Sequence, residues 1–581
     1  MIRSRLKGTT LINRIITWLT LAYIMSAIFS AEARANTITA TDCNTSSVQA
    51  AINSVATGST VLIPAGTCTW TSGITISGKG ITLQGAGGGR VIGVSVTSSA
   101  VSIGTGTKTF SGMIAATVNG VLSNAQPSVT PGQTLIIYEN GFLGNFMQGT
   151  VTSLSGGTLT MNITSSGGTC GASAPANTMQ SNCKRWLITT LPSTVLTNNS
   201  SAPMISVTED TAFHTTITGI QFAQGSGGGG SGSAIFINRN NPNGVAVLIH
   251  DNFFESNQAD IIDGNSNRGV ISNNSFVFSP FSTGQYAAIR IKDPNNTALS
   301  YSWGTASTMG TADTTGQGNL YFETNDIQAD GAGTDFDDNA RAVFRYNFLN
   351  NVGTGSHGAD TSFIGMRYLE FYNNVGIFQA YTDGTTANVP RGLFVRGGTF
   401  VFHDNTLPVI NSQDWGIKND IEMTVMTLTR KDTLACWGAG FTTAGQYYPA
   451  PRQVGFGRVT GSGTVTYPPL GYNNASVTTN ATGYTGSVYV GDSEPAYIWN
   501  NNRTISTATS NYPYSSTDPL SCPLTPTPDK SSNYLVPGRD YFNNGTAKPG
   551  YTPYTYPHPL TLGSGSGTKP APPTGLSAIV N

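Results

Sequence analysis

Charge is what this chain has least of. Asp, Glu, Lys and Arg make up 10% of its 581 residues, against about 25% in ordinary globular proteins, and 29 basic against 30 acidic side chains leave a formal charge of −1. A nucleic-acid partner held by a basic surface, a coiled coil and a charge-extended disordered chain are all excluded. Past the N-terminus no run approaches the ~20 apolar residues of a membrane span. No CxxC occurs, and His214, His250, His357, His403 and His558 lie far from the cysteines in sequence, which argues against a zinc framework. What is abundant is glycine: 69 residues, about 12% against a usual ~7%, mark a chain that turns often.

The first residues carry Arg3, Arg5, Lys7 and Arg14, then an apolar run from Ile15 to Phe29, then Ala33-Arg34-Ala35. This is the pattern of a secretory signal peptide over residues 1–35, with an uncleaved anchor as the competing reading. The mature protein is expected outside the cytoplasm, in the medium, in a periplasm or at a cell surface, and free of the membrane. Six cysteines fit that oxidising setting, and their positions suggest the pairs Cys43–Cys68, Cys170–Cys183 and Cys436–Cys522 among the 15 connectivities that six cysteines allow.

An internal repeat carries the architecture. Ile249-His250-Asp251-Asn252, Ile271-Ser272-Asn273-Asn274, Phe322-Glu323-Thr324-Asn325, Phe344-Arg345-Tyr346-Asn347, Phe371-Tyr372-Asn373-Asn374, Phe402-His403-Asp404-Asn405 and Ile498-Trp499-Asn500-Asn501 all read apolar, x, x, Asn. Successive Asn positions differ by 22, 51, 22, 27, 31 and 96. Intervals near 22 match one coil of a solenoid, those of 27 and 31 a coil with a longer loop, and those of 51 and 96 several coils or an insertion. Asn tolerates left-handed backbone at a tight bend, and its amide can bond to the Asn of the next coil, so the pattern predicts a ladder in an all-β parallel β-helix.

Ahead of the repeat, Val48, Ala51, Ile52 and Val55 have helical spacing, with a stop near Gly58, and Thr60–Ile63 and Ile81–Gly85 read as short strands. The pieces Val48-Gln49-Ala50-Ala51-Ile52-Asn53, Ile63-Pro64-Ala65-Gly66 and Ile81-Thr82-Leu83-Gln84-Gly85 resemble the N-terminal cap of secreted proteins of the pectate lyase-like superfamily. That resemblance covers about 45 residues and implies a right-handed parallel β-helix whose open end is closed by a small helix. Residues 36–94 are then the cap and first coils, and 193–518 the main β-helix. Over 95–192 the coil pattern lapses into alternating segments, resembling a small β-barrel module inserted in β-helix proteins; a loop-rich stretch of solenoid is the alternative. Gln224–Gly232 reads as a surface loop, and the Pro/Tyr-rich 519–581 as a C-terminal segment and tail with little function.

If the apolar residue of each repeat faces the core, its successor faces out, giving the column His250, Ser272, Glu323, Arg345, Tyr372, His403 and Trp499. At ~4.8 Å per strand, Glu323 to His403 would span roughly 14 Å, enough for a few sugar units. The competing reading is a solvated face whose neighbours pair, as Glu323 with Arg345. Loops entering these coils add Asp335, Asp337, Asp338, Arg341, His357, Asp360, Arg367, Arg391 and Arg396.

Two chemistries suit such a cluster. β-Elimination on a uronate needs a neutralised carboxylate and a base: Arg341, Arg345, His357 and His403 are the catalytic candidates, with Ca²⁺ on Asp337, Asp338 and Asp360. Glu323, Tyr372, Arg367, Arg391, Arg396 and Trp499 would bind the substrate. Glycoside hydrolysis needs two carboxyl groups, one protonated, for which Asp337, Asp338 and Asp360 are candidates. Asp337-Asp338 followed by Ser356-His357-Gly358 resembles the paired aspartates and Gly-His-Gly of polygalacturonases. Arg290-Ile291-Lys292 matches that family's Arg-Ile-Lys but precedes the aspartates, and no Asn-Thr-Asp stands before them. The expectation is a secreted enzyme acting on an extracellular polysaccharide, first as a lyase of an acidic polymer, with a polygalacturonase-like hydrolase and a non-enzymatic glycan-binding surface protein as alternatives. Arg345 and His357 are expected to be dispensable for folding.

Overall fold

The computed structural model describes residues 36–115, 129–171, 183–224, 232–278, 287–292, 307–356, 366–381, 393–406, 415–416, 420–426, 454–463, 488–512 and 537–562, with short breaks that include 337–338 and 396. The signal-peptide expectation for 1–35 and the Cys436–Cys522 pair lie outside these residues.

The chain winds into a right-handed parallel β-helix with three faces. The first is one parallel sheet whose later strands are Val247–His250, Gly269–Ser272, Leu320–Glu323, Arg341–Arg345, Tyr368–Tyr372, Thr399–His403, Ala496–Trp499 and Tyr541–Phe542. The second and third faces merge because two long strands, Asp326–Phe336 and Phe348–Gly355, run across the corner between them. On the first face the repeats stack in register, Ile249 on Ile271, Phe322, Phe344, Phe371, Phe402 and Ile498. Inside, rings Phe322 to Phe402 lie nearly parallel, with centroids 4.9–5.2 Å apart. Strand spacing and ring stacking distance coincide, so each coil repeats the contact of the one before.

The intervals of 51 and 96 residues are single coils too. Gly269–Ser272 pairs directly with Leu320–Glu323, and Thr399–His403 with Ala496–Trp499. Among the described residues, the longer interval also holds the antiparallel pair Phe456–Gly463 and Val488–Ser493.

The Asn ladder is present, with one correction. The left-handed residue is the one before each Asn: Asp251, Asn273, Thr324, Tyr346, Asn373, Asp404 and Asn500 have φ between 50° and 60°. The Asn that follows points inward and is buried from Asn252 to Asn405. Its backbone N–H and Nδ2 both donate to the Oδ1 of the next Asn, at 2.9–3.2 Å, from Asn252 through Asn274, Asn325, Asn347, Asn374 and Asn405 to Asn501. Each Nδ2 also donates to a carbonyl one coil back, as Asn347 to Phe322 at 2.9 Å.

The helix Thr45–Ser54 buries Val48, Ala51 and Ile52 over the first coils, and the Cys43–Cys68 disulfide ties its entry to the solenoid. Between Gly85 and Thr194 the chain leaves to form a seven-stranded antiparallel sheet with its own core of Phe110, Leu135, Ile137, Met147, Met161 and Trp186, closed by Cys170–Cys183. This sheet lies against the second face, where Val91, Val94, Tyr138 and Leu187 pack with Phe253, Val277, Phe348 and Val375.

The ladder makes a quantitative expectation. Asn347→Ala removes the acceptor of the Asn325 N–H and Nδ2 in a dry corner, where each unsatisfied group costs about 1–3 kcal/mol. Denaturant unfolding should show a loss of at least about 2 kcal/mol, whereas Asn53→Ala on the exposed helix surface should leave stability nearly unchanged.

Candidate functional site

The outward column of the first face is in register as the repeat requires, Ser272, Glu323, Arg345, Tyr372, His403 and Trp499 lying side by side. It is not open to a ligand. The C-terminal segment, expected to be a tail of little function, adds the strand Tyr541–Phe542 and then runs back across the face, from Tyr551 over His403 and Trp499 to Leu560 beside Leu248 and Val270. Beneath it Glu323, Arg345, Tyr372 and His403 are each at most 1% exposed.

The polar groups of Glu323, Arg345 and His403 are answered within the protein. Arg345 binds Glu323 Oε2 through Nη2 at 2.7 Å and Nε at 2.9 Å, donates to Tyr372 Oη at 2.9 Å, and donates to the carbonyls of Tyr554 and Thr555 at 2.5 and 3.1 Å. Glu323 Oε1 accepts the backbone N–H of His558 at 2.9 Å. His403 is stacked between Tyr372 and Trp499, with centroids at 4.8 and 4.1 Å, and its Nδ1 meets Asp404 at 2.6 Å. Burial lowers its pKa, against the pull of Asp404. Arg345 and His403 as catalytic groups, and Glu323 and Tyr372 as sugar contacts, are therefore corrected: they fasten the C-terminal segment. Trp499 keeps partial exposure. Arg367, a predicted substrate contact, is buried and paired with Glu494 at 2.8 Å. Arg341 opens the strand beside Tyr368 and is half-buried. Asp337, Asp338, His357, Asp360, Arg391 and Arg396 lie outside the described residues.

A different charged group stands on the third face. Strands Ile262–Gly264, Ala287–Ile291 and the end of Asp326–Phe336 pair in parallel, turning Ile262, Ile289, Ile291 and Phe336 inward. The residues between face out, so Asp263, Arg290 and Asp335 form one row on adjacent strands. Arg290 reaches Asp260 through Nη1 at 3.6 Å and Asp335 through Nε at 3.7 Å, and its side chain is 35% exposed. Asp260 also accepts the Ala287 N–H at 2.8 Å. Burial pushes its pKa up to about 6, against the opposing effects of that hydrogen bond and of Arg290. Burial raises Asp263 as well. Among the described residues no group of three His, Cys, Asp or Glu side chains is arranged to hold a metal.

With this geometry in hand, the chain can be set beside known proteins. No protein-family model and no curated protein matches it. Among solved structures it is similar to the Gp54 tailspike of Acinetobacter baumannii bacteriophage AP22, solved in complex with A. baumannii capsular saccharide. Identity is 10% over 78% of this chain and 64% of that one, with a TM-score of 0.19. It is also similar to tailspike gp49 of Pseudomonas phage LKA1, at 10% identity over 65% of this chain and 68% of that one, with a TM-score of 0.14. The chain thus spans slightly under two thirds of the AP22 tailspike. Likenesses this distant say nothing about the chemistry.

Sequence reasoning singled out Asp335 only as one of several loop charges and Arg290 only as part of a motif, and it missed Asp260 and Asp263. The alternation in Ile262-Asp263-Gly264 and Ile289-Arg290-Ile291 was the available signal.

Two outcomes follow for the covered face. Arg345→Ala strands the Glu323 carboxylate in a dry site, and unfolding should show a loss of about 3–5 kcal/mol, contrary to the expectation that Arg345 is dispensable for folding. Glu370, whose carboxylate accepts Tyr551 Oη at 2.6 Å and the Gly310 N–H at 3.0 Å, is pushed by burial from 4.5 up to about 7. The folded state keeps a proton that the unfolded chain releases, so this group makes stability fall as pH rises from 4.5 to about 7 and then level off. His403 and His558, lowered by burial, act oppositely below 6.5. Glu370→Gln should remove part of the fall between pH 4.5 and 7 in thermal melts; an unchanged pH profile would refute the assignment.

Proposed function

We propose that this protein binds an extracellular polysaccharide along its third face and cleaves it by hydrolysis, with Asp260 as general acid, Asp335 as its carboxylate partner and Arg290 holding both. The observation that carries this is one partly exposed guanidinium touching two carboxyl groups, one of them with its pKa pushed up to about 6. Glycosidases work with two such groups, one keeping its proton to give to the leaving oxygen, across separations of about 5 to 9.5 Å. Two carboxyls bridged by a single guanidinium fall near that span.

β-Elimination from a uronate is supported less well. It asks for a base beside the sugar, and of the two histidines foreseen for that part His403 is sealed beneath the C-terminal segment while His357 lies outside the described residues. The signal-peptide pattern of residues 1–35 and two disulfides support action outside the cytoplasm. The cap's resemblance supports a place in the pectate lyase-like superfamily.

The test is a panel of neutral glucans, pectate and alginate, read by reducing ends and by near-ultraviolet absorbance. Hydrolysis gives new reducing ends without absorbance. Absorbance from a new C4–C5 double bond would instead establish a lyase, and retention on a polymer without cleavage a binding protein. On the polymer that is cleaved, Asp260→Asn should lower kcat by about 10²- to 10⁴-fold, and the wild-type rate should decline as pH rises above about 6, where Asp260 gives up its proton. Arms with Ca²⁺ and with chelator test Asp337, Asp338 and Asp360: activity lost on chelation would assign them the metal.

A further inference from the structure

The row that carries Asp263, Arg290 and Asp335 continues one strand further. Phe236 stands beside Asp263 in register, on the strand Ile235–Asn238. Its neighbours Ile235 and Ile237 are buried in the core, so the Phe236 ring faces out, and it is only half-buried. Among the described residues it joins no apolar cluster, unlike the outward aromatics of the second face, which the antiparallel sheet covers.

A second outward row runs parallel to the first. Asn238 leads it, and Asn265 and Lys292 follow on the next strands, placed by the bonds from Asn265 N to Ile237 O at 2.8 Å and from Lys292 N to Gly264 O at 3.1 Å. The Oδ1 atoms of Asn265 and Asp263 are themselves buried and have no hydrogen-bond partner among the described residues, although both side chains are partly exposed. A flat apolar ring, partly exposed amide and carboxyl side chains beside it, and a charged row beyond it therefore share one strip of the third face.

We propose that Phe236 is the platform of a sugar subsite, stacking the apolar face of a neutral pyranose, with the partly exposed side chains of Asn265 and Asp263 beside it. This deepens the hydrolase reading and rests on it for the direction of the chain. Strands are ~4.8 Å apart, about the length of one pyranose, so a glycan laid along the solenoid axis passes from Phe236 across Asp263 to the Arg290 bridge without changing direction. The sugar over Phe236 is neutral because a uronate there would set its carboxylate beside Asp263, whereas the cations Arg290 and Lys292 stand one strand beyond.

The experiment measures binding by calorimetry in the Asp335→Asn background, with cellohexaose and chitohexaose as neutral probes and hexagalacturonate as the acidic one. At least one neutral hexasaccharide should bind more tightly than hexagalacturonate. Phe236→Ala should weaken it about tenfold, the worth of one aromatic contact, and Phe236→Tyr, which keeps the ring, should restore it. Thermal melts of both variants should match the parent, since the ring packs into no core cluster. Binding unaffected by Phe236→Ala, or tighter binding of the acidic probe, overturns the subsite. The hydrolase reading fails separately: Phe236-dependent binding by a protein that with Asp335 intact cleaves nothing leaves the subsite standing and removes the chemistry. Cleavage with an unchanged KM in Phe236→Ala does the reverse.

Discussion

Each coil of the solenoid turns a corner between its first and second faces, and at that corner the chain must enter left-handed backbone while keeping its amides bonded. The column of Asn side chains meets this demand. A left-handed non-glycine residue costs of order 1–3 kcal/mol, and the bend uses even Thr324 and Tyr346, which tolerate it poorly. What holds them is the Asn that follows, whose Oδ1 takes two donors from the preceding coil and whose Nδ2 binds a carbonyl of that same coil and the Oδ1 of the next Asn. The corner of one coil is thereby completed by the next. Spacing, register and the direction of every outward side chain follow from that repeated bond, and insertions are tolerated wherever they leave the corner intact, as the 96-residue interval between Asn405 and Asn501 shows.

The same periodicity explains why the first face is sealed. In-register stacking lines Glu323, Arg345, Tyr372 and His403 into one continuous ridge, and a ridge of alternating charge, hydroxyl and ring is a template for a polar chain. The protein supplies that chain itself: carbonyls of Tyr554 and Thr555 meet the guanidinium, the His558 amide meets the carboxylate, and Tyr551 crosses the imidazole. Removing two charges from water is costly unless the remaining donors and acceptors are satisfied. Here the C-terminal segment satisfies them, so the pair specifies where that segment docks.

This also marks what could be read before the structure. The apolar-x-x-Asn repeat contained the architecture and even the register of the first face, because periodicity is a local property that survives in the order of residues. It could not report that residues more than 200 positions away cover Glu323 and Arg345, since such a contact leaves no periodic trace. A Pro/Tyr-rich segment reads as linker precisely where its tyrosines have no apolar rhythm, although Tyr551, Tyr554 and Tyr556 fill the ridge one after another. The third-face row was hidden for a different reason: its strands are short and its spacing is broken by loops, so Asp263, Arg290 and Asp335 share no motif until pairing aligns them.

What separates the two charged rows is solvent. Under the C-terminal segment the ionisable groups are buried against fixed partners and out of a ligand's reach, Glu370 with its raised pKa included, since Tyr551 lies on its carboxylate. On the third face Arg290 keeps a third of its side chain exposed. Asp260 sits between opposing influences, burial raising its pKa and one hydrogen bond with one cation lowering it, and the balance falls near 6. A carboxyl balanced there can hold a proton and release it near neutral pH, the property acid catalysis requires. The Asn ladder thus does two things at once: by fixing register it lets the molecule lock one row of ionisable side chains beneath its own C-terminal segment, and it aligns another whose guanidinium keeps part of its surface in solvent.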